Sequence, residues 1–185
     1  MAKKKPKLKF ESITGRSRDI VTRLTNSIAL EDSDCCLVND FAQQLETAVI
    51  QAITQETEGI RRVDAALRSC LQVFHTYQPL AKIFLVQAVG LGEVFEQKRM
   101  EIHNRFVQAI KLYLDHALSE GDIPPVDTEV AALAWMGAIN EVVIRWVLTG
   151  EPGPQRSLPA LRAVLLRSIG VSEDRITALE QHNAH

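Results

Sequence analysis

Cysteine is scarce in this chain of 185 residues, which contains only Cys35, Cys36 and Cys70. So small and odd a number excludes the disulfide framework of a small secreted domain. The adjacent Cys35 and Cys36 would suit a redox or metal-binding pair, but no histidine or second cysteine pair lies at ligand spacing. We therefore expect reduced thiols, no metal ion, no cofactor and a cytoplasmic location.

Long hydrophobic runs, glycine and proline are also limited. The longest stretch without charge or strong polarity is about half of the ~20 residues that a membrane span requires, so no membrane association is predicted. The basic start, "MAKKKPKLKF", leads into polar sequence, and a signal peptide is not expected. The nine glycines and seven prolines fall at a few points, which favours long regular elements over many short strands.

Apolar residues recur at helical spacing from about residue 38 onward, and no strand pattern competes with them. The longest predicted helix ends before Gly121, which suits the C′ position. Asp127 is a predicted N-cap of the next helix, and Ser157 of the last one. The predicted helical segments are 41–59, 60–78, 79–89, 93–120, 127–149 and 157–169. We therefore predict an all-α helical bundle.

The segment from 131 to 150 carries both tryptophans of the chain and only two charges, Glu141 and Arg145. At 100° per residue its apolar side chains form two adjacent stripes, whereas a surface helix needs only one. One stripe contains Ala132, Trp135, Ile139, Val142 and Trp146, and the other contains Leu133, Met136, Val143 and Val147. Such a helix is either central in its own domain or buried in part by another chain.

Charge is unevenly distributed, although the net charge is only −2. Residues 1–23 carry eight basic against two acidic residues, whereas residues 24–185 carry thirteen basic against twenty-one acidic ones. Two interpretations of this basic arm remain open, a contact with a phosphate backbone and a solubilising tail. The lysines that would contact DNA are Lys3, Lys4, Lys5, Lys7 and Lys9.

No catalytic pattern is present, and the sequence predicts a protein that is not an enzyme. The "GLG" at 90–92 lacks the preceding strand and the glycine spacing of a nucleotide-binding loop. No serine or cysteine nucleophile lies near a base in a known arrangement. The five histidines form no metal pair; they are His75, His103, His116, His182 and His185.

The order of the helices, with three segments of sequence, resembles the C-terminal ligand-binding and dimerisation domain of TetR-family transcriptional regulators. The segments are "FAQQLETAVIQAI", "VDTEVAALAWMGAINEVVIRWVLTG" and "SLPALRAVLLRSIGV". The second is the most telling, because an acid-capped helix rich in Ala and Gly is followed by a Gly/Pro turn and "LPALRAVLL". The resemblance spans residues 41–171, which we predict as the ligand-binding and dimerisation domain, with a C-terminal tail at 172–185.

Residues 1–40 depart from the family pattern. A TetR-family regulator begins with a three-helix DNA-binding unit, and the glycine turn, aromatic step and lysine that end this unit are missing here. "SRDIVTRL" at 17–24 is similar to the start of the family's second helix, but "LEDSDCC" is a poor recognition helix because its acids would face phosphates. The DNA-binding half is therefore missing, highly divergent or replaced, and we expect only weak, non-specific DNA binding through the basic arm.

The resemblance also implies a homodimer in which the last two long helices pair with their twins in a four-helix bundle. One stripe of the segment 131–149 would then face its own core and the other the partner. The predicted interface residues are Val143, Trp146, Leu161 and Leu165. A pocket for a small effector is implied among the helices at 60–149, and its predicted residues are Phe74, Phe84, Gln87, His103, Phe106, Trp135 and Asn140.

Two functions remain open. The first is a TetR-like transcriptional regulator, a homodimer that binds a small apolar or amphipathic effector and touches DNA. The alternative is a stand-alone dimeric module for ligand binding or protein interaction that has lost specific DNA binding. A third, a purely structural bundle, predicts a core without a pocket.

Overall fold

The described part of the chain consists of α-helices and short connections. A computed structural model describes residues 32–87 and 93–182, and no β-strand occurs within these two ranges. The helices are α1 Asp32–Thr54, α2 Gly59–Thr76, α3 Gln78–Lys82, α4 Glu93–Ser119, α5 Thr128–Thr149, α6 Pro154–Ser168 and α7 Glu173–His182. A π-helical turn, Ile83–Gln87, continues α3. The predicted all-α fold is confirmed.

Local signals in the sequence set both ends of α5. The side chain of Asp127 accepts hydrogen bonds from the backbone N–H groups of Glu129 and Val130, each 3.1 Å long, which confirms the predicted N-cap. The helix ends at Gly150, whose φ of 82° is left-handed. Glycine adopts this conformation without the steric cost that a Cβ would bring, so the helix stops there.

α6 begins three residues earlier than the sequence predicts. The N-cap residue is Gly153 rather than Ser157, and Pro154 is the first residue of the helix. Proline suits this position because its missing N–H would have no helical partner there. Ser157 lies one turn inside, where its hydroxyl donates to the carbonyl oxygens of Pro152 and Gly153, each at 3.0 Å.

The helices pack around a shared apolar core. α2 packs against α1 and α6, and α5 packs against α4 and α6. An aromatic cluster forms part of this core, with the ring of Phe41 centred 5.9 Å from that of Phe74 and 6.2 Å from those of Tyr77 and Phe84. The cluster holds α1 against the end of α2 and against the π-helical turn.

A buried ion pair links α2 to α6. Asp64 is 2% exposed, and its carboxylate accepts a hydrogen bond from the guanidinium of Arg162, which is 5% exposed. Arg68, one turn further along α2, bonds to the other carboxylate oxygen. Because both oxygens are bonded, the cost of burying the charge of Asp64 is offset.

Helical structure extends beyond residues 41–171 at both ends. α1 starts at Asp32 and runs without a break through residue 40, the last residue of the region predicted to hold the basic arm and a divergent or replaced DNA-binding unit. At the other end, the segment predicted as a tail forms α7, whose Ile176 and Leu179 are 2% and 5% exposed in the core. A ten-residue helix with two buried side chains gives too weak a periodic signal to be recognised. The basic arm lies outside the described residues.

α5 is the helix whose environment differs most from the prediction. By length and composition alone it could cross a membrane, but both of its apolar stripes contribute to the protein core. In the stripe of Leu133, Met136, Val143 and Val147, only Leu133 is exposed and the other three side chains are buried. The helix therefore packs into its own domain with residues of both stripes, and it also keeps exposed apolar side chains, among them Val130, Leu133 and Leu148.

Candidate ligand-binding cavity

An apolar cavity of about 170 Å³ lies inside the bundle. Its wall comes from α1, α2, the π-helical turn, α4, α5 and α6, and most lining side chains are apolar, as at Leu67, Phe74, Phe106 and Ile139. The volume is close to that of an engineered apolar cavity of about 150 Å³ that binds benzene. It is below the range typical of drug-sized ligands, so the cavity suits a small molecule or one part of a larger molecule.

Ionisable side chains line the cavity at the end where α2 begins and α4 ends. They are Arg62, His116, Glu120 and Asp122. The Nε of Arg62 donates to the carbonyl oxygen of Glu56 at 2.9 Å, and the Nδ1 of His116 lies 3.2 Å from a carboxylate oxygen of Glu120. This end is therefore polar, with much of its hydrogen-bonding capacity used within the protein.

One polar group in the wall lacks such a contact. Asn140 on α5 lines the cavity, and its Oδ1 is buried with no hydrogen-bond partner among the described residues. Leaving a buried acceptor unbonded costs about 1–3 kcal/mol. Native proteins contain few groups of this kind, so this acceptor is a candidate contact for a ligand in the cavity.

Cys70 on α2 adds a neutral group to the wall. The residue as a whole is only partly buried, yet burial raises the pKa of its thiol to about 12. The thiol is therefore protonated at neutral pH and is a poor nucleophile, because the thiolate is the reactive form. The cavity offers hydrophobic contact rather than chemistry.

Neither a protein-family profile nor a curated protein matches this chain, but solved structures do. A protein from Syntrophomonas wolfei assigned to the TetR family of transcriptional regulators matches with a TM-score of 0.66 and 15% identity, over 75% of this chain and 72% of that chain. The transcriptional regulator FadR from Bacillus subtilis, in complex with stearoyl-CoA, matches with a TM-score of 0.63 and 15% identity, over 75% and 74%. A TetR-family regulatory protein from Rhodococcus RHA1 matches with a TM-score of 0.56 and 16% identity, over 75% of each chain. This chain has the fold of TetR-family regulators.

Within this TetR fold, the structure brings together five of the seven predicted ligand-binding residues. The five that line the cavity are Phe74, Phe84, Phe106, Trp135 and Asn140. The indole Nε1 of Trp135 donates to the hydroxyl of Ser168 at 2.9 Å, which joins α5 to α6. His103 is not a lining residue; burial, and then the charge of Arg99, lower its pKa. The side chain of Gln87 lies outside the described part of the chain.

α1 and the first turns of α2 contribute a part of the wall that the sequence does not predict. Leu45, Val49 and Ile53 of α1, with Ile60 and Val63 of α2, line the cavity of the TetR-like bundle. Their spacing predicts a buried helical face, but periodicity does not distinguish a side chain packed in the core from one beside an empty space. No signal within either helix reveals this role.

The four predicted dimer residues lie inside the protomer. Val143, Trp146, Leu161 and Leu165 are 1%, 7%, 6% and 3% exposed. Leu165 also lines the cavity. Because these side chains are buried by their own chain, they retain little surface for a partner, and replacing them with charged residues would disrupt the protomer itself.

Other apolar side chains of the same two helices are exposed. Val130, Leu133 and Leu148 of α5 are 60%, 50% and 54% exposed, and Val164 of α6 is 57% exposed. On α5 these positions recur at helical spacing and share a side with the exposed Ala134 and Gly137. The outer α5–α6 surface is formed by Val130, Leu133, Ala134, Gly137, Leu148 and Val164.

Proposed function

We propose that this protein is a TetR-like transcriptional regulator, a homodimer whose helical domain binds a small apolar or amphipathic effector. The observation that carries this proposal is the apolar cavity inside a bundle with the TetR fold. FadR, which shares the fold, was solved with stearoyl-CoA, and this supports an effector with a hydrocarbon part. A purely structural bundle would be expected to fill its core at close-packed density, so the cavity disfavours it.

A ligand that enters the cavity should stabilise the folded protein. At a concentration of 100 times Kd the gain is about 2.7 kcal/mol, which for a chain of this length raises Tm by roughly 5 to 10 °C. Thermal unfolding with benzene, toluene and 1-hexanol tests compounds that match the volume and apolar wall of the cavity. A wild-type Tm that none of these compounds changes would contradict the proposed site.

A pair of variants shows whether the ligand occupies this cavity. Ala66 lines it, so Ala66→Leu places a larger side chain inside and should abolish the rise in Tm. Ala178 is exposed on α7, and Ala178→Leu should leave the rise unchanged. Equal ligand effects in the two variants would show that the compounds bind elsewhere.

We place the contact between protomers on the outer α5–α6 surface. Its exposed apolar side chains would otherwise remain in water, and obligate dimers bury apolar surface of this kind. A Cβ added at Gly137 meets no described atom within 4 Å, so the protomer leaves open space beside this residue. The small Ala134 and Gly137 suit the close approach of a partner helix.

Gly137→Leu tests the contact between protomers without weakening the fold of the protomer. Leucine has the higher helix propensity and space on the protomer, so folding should not weaken, but its side chain would obstruct a closely packed partner helix. Sedimentation should show a shift from dimer to monomer, and Leu133→Glu should give the same result. Leu112→Glu is the control, because Leu112 is 67% exposed on α4. A dimer that persists in both interface variants would overturn this placement.

We further propose that residues 1–23 bind DNA weakly and without sequence preference. Their excess of basic residues can neutralise a few phosphates, which gives salt-dependent affinity. Sequence readout requires a helix in the major groove. The acidic segment that begins at Asp32 instead belongs to the long helix α1, which continues into the packed domain.

Deletion of residues 1–23 should abolish this DNA binding and leave the dimer intact. In the full chain, the affinity should fall steeply as salt rises and should be equal for unrelated duplexes. Sub-micromolar, sequence-selective binding at physiological salt would contradict the proposal. Complete absence of DNA binding at low salt would favour the stand-alone ligand-binding module instead.

A further inference from the structure

Asn140 gives the cavity a point of chemical specificity. Its Oδ1 is a buried acceptor that no group in the described part of the chain satisfies, and the residue lies in a largely apolar wall. We infer that the effector carries a neutral hydrogen-bond donor, a hydroxyl or an amide N–H, joined to its apolar part, and that Asn140 Oδ1 accepts from this donor. This inference rests on the proposed function, since it specifies the ligand of the same cavity.

Water is a poor substitute for such a ligand. An ordered buried water typically makes about three hydrogen bonds, and most of the cavity wall consists of side chains without polar atoms, such as Phe74, Phe84 and Ile139. An apolar cavity of similar size stays free of water for this reason. A ligand with both a hydrocarbon part and a donor fills the space and satisfies Oδ1 at the same time.

The donor should be uncharged. The ionisable lining residues lie where α2 begins and α4 ends, and α4 ends shortly before α5 begins. Asn140 lies about 18 Å along α5 from its first residue, Thr128, at a rise of about 1.5 Å per residue. An ammonium or carboxylate held beside Asn140 would therefore have no counter-ion in the wall. Burying an unpaired charge costs far more than one hydrogen bond returns.

Three ring compounds of similar size separate the contribution of the hydrogen bond to ligand affinity from that of apolar contact. Phenol donates a hydrogen bond, toluene does not, and anisole accepts without donating. In the full chain with Asn140→Leu, the Kd of phenol should rise about tenfold, which corresponds to the loss of one net hydrogen bond. The Kd values of toluene and anisole should stay the same or fall. Calorimetric titration or NMR measures all three.

The ligand-free protein supplies a second readout. Asn140→Leu removes a buried acceptor that has no bond within the described residues, so Tm should rise by about 2 to 12 °C. A merely structural asparagine with satisfied hydrogen bonds would give a lower Tm on the same replacement. Asn104→Leu on the exposed side of α4 is the matched control and should change neither Tm nor phenol binding.

Each result other than the expected one overturns a different statement. If Asn140→Leu changes phenol and toluene binding equally, or lowers the Tm of the ligand-free protein, the inference about Asn140 is overturned. Anisole binding that is selectively lost in the variant would show that the amide presents Nδ2, which overturns the donor assignment. If none of the three compounds binds wild type, the cavity is not a ligand site, and the proposed function fails first.

Discussion

Asp64 and Asn140 are polar side chains in the core of one bundle, and their surroundings differ. Asp64 is 2% exposed, and arginine side chains bond to both of its carboxylate oxygens. The buried Oδ1 of Asn140, in contrast, has no partner within residues 32–87 and 93–182. The described helices therefore satisfy the first group, but they offer no partner to the second, which lies beside an apolar cavity.

The contrast distinguishes the structural role of Asp64 from the ligand-binding role that we propose for Asn140. A charge in the core must be compensated because the cost of burying it alone exceeds the stability of a typical domain. The bond from Asp64 to Arg162 fixes α2 against α6, two of the helices that form the cavity wall. A neutral amide can stay unbonded for about 1–3 kcal/mol, a cost that a folded protein tolerates and that a ligand can relieve.

The largest effect is expected from breaking the satisfied pair. Asp64→Leu leaves the guanidinium of Arg162 buried without its carboxylate, so the free energy of unfolding should fall by about 3–5 kcal/mol. Urea denaturation followed by circular dichroism measures this change. The direction is opposite to that expected for Asn140→Leu, which removes a group that has no partner to lose.

The double variant Asp64→Leu with Arg162→Leu is the control for this prediction. It removes both charges, and most of the lost stability should return because apolar replacement of a buried ion pair is often neutral. A single variant that loses less than about 1 kcal/mol would show that the pair contributes little. The comparison between Asp64 and Asn140 would then fail.

A smaller effect is expected at Trp135, a cavity residue whose polar atom is satisfied. Ser168→Ala removes the acceptor of its indole Nε1 and should lower the free energy of unfolding by about 1 kcal/mol. Ser119→Ala at the exposed end of α4 should change it by less than about 0.5 kcal/mol. Equal effects of the two replacements, in the same urea experiment, would show that the hydrogen bond of Trp135 is not needed.

The smallest effect is a pH dependence where α4 meets α5. Hydrogen bonds from Lys111 and then Thr128 hold the pKa of Asp115 below its usual value, and the hydroxyl of Thr128 donates to Asp115 at 2.5 Å. A lowered folded-state pKa adds stability above the ordinary pKa of Asp, about 3.9, and this stability is lost as the pH falls through the folded-state value. Thr128→Val removes one of these bonds and raises the pKa of Asp115, so acid unfolding should begin at a higher pH.

An acid titration of wild type and Thr128→Val, followed by circular dichroism, checks this shift. Lys111→Met should move the midpoint of acid unfolding further than Thr128→Val, because the bond from Lys111 is the larger cause of the lowered pKa. A midpoint that neither replacement moves would show that Asp115 does not link folding to pH.

Sequence reasoning is accurate where a helix end carries its own signal. α5 begins after the predicted cap Asp127, and α4 spans Glu93–Ser119, one residue short of the prediction. It fails for α7, because two buried side chains, Ile176 and Leu179, give little periodicity in ten residues. Helix ends were therefore predictable where a cap or a glycine marks them, and short helices held by tertiary contacts were not.

Prediction of the cavity and interface residues from sequence has the same limit, because tertiary contacts are not visible in the sequence pattern. The aromatic residues Phe74, Phe84, Phe106 and Trp135 are found at the cavity, because large apolar side chains on several helices of one bundle converge in its interior. The predicted interface residues, such as Val143, are found in the core. Helical periodicity shows that a face is apolar, but it does not show whether that face meets its own chain, a second chain or an empty space.

The sequence by itself determined the helical class, the ends of α4 and α5, and which side chains are apolar enough to be buried. These follow from caps, glycines and periodicity, which act within a few residues. Only the tertiary structure decided that Asp64 meets Arg162, 98 residues away, while Asn140 Oδ1 meets no described partner. Such contacts depend on how distant helices pack, and helix packing also decides which apolar face fills the core, lines the cavity or remains exposed.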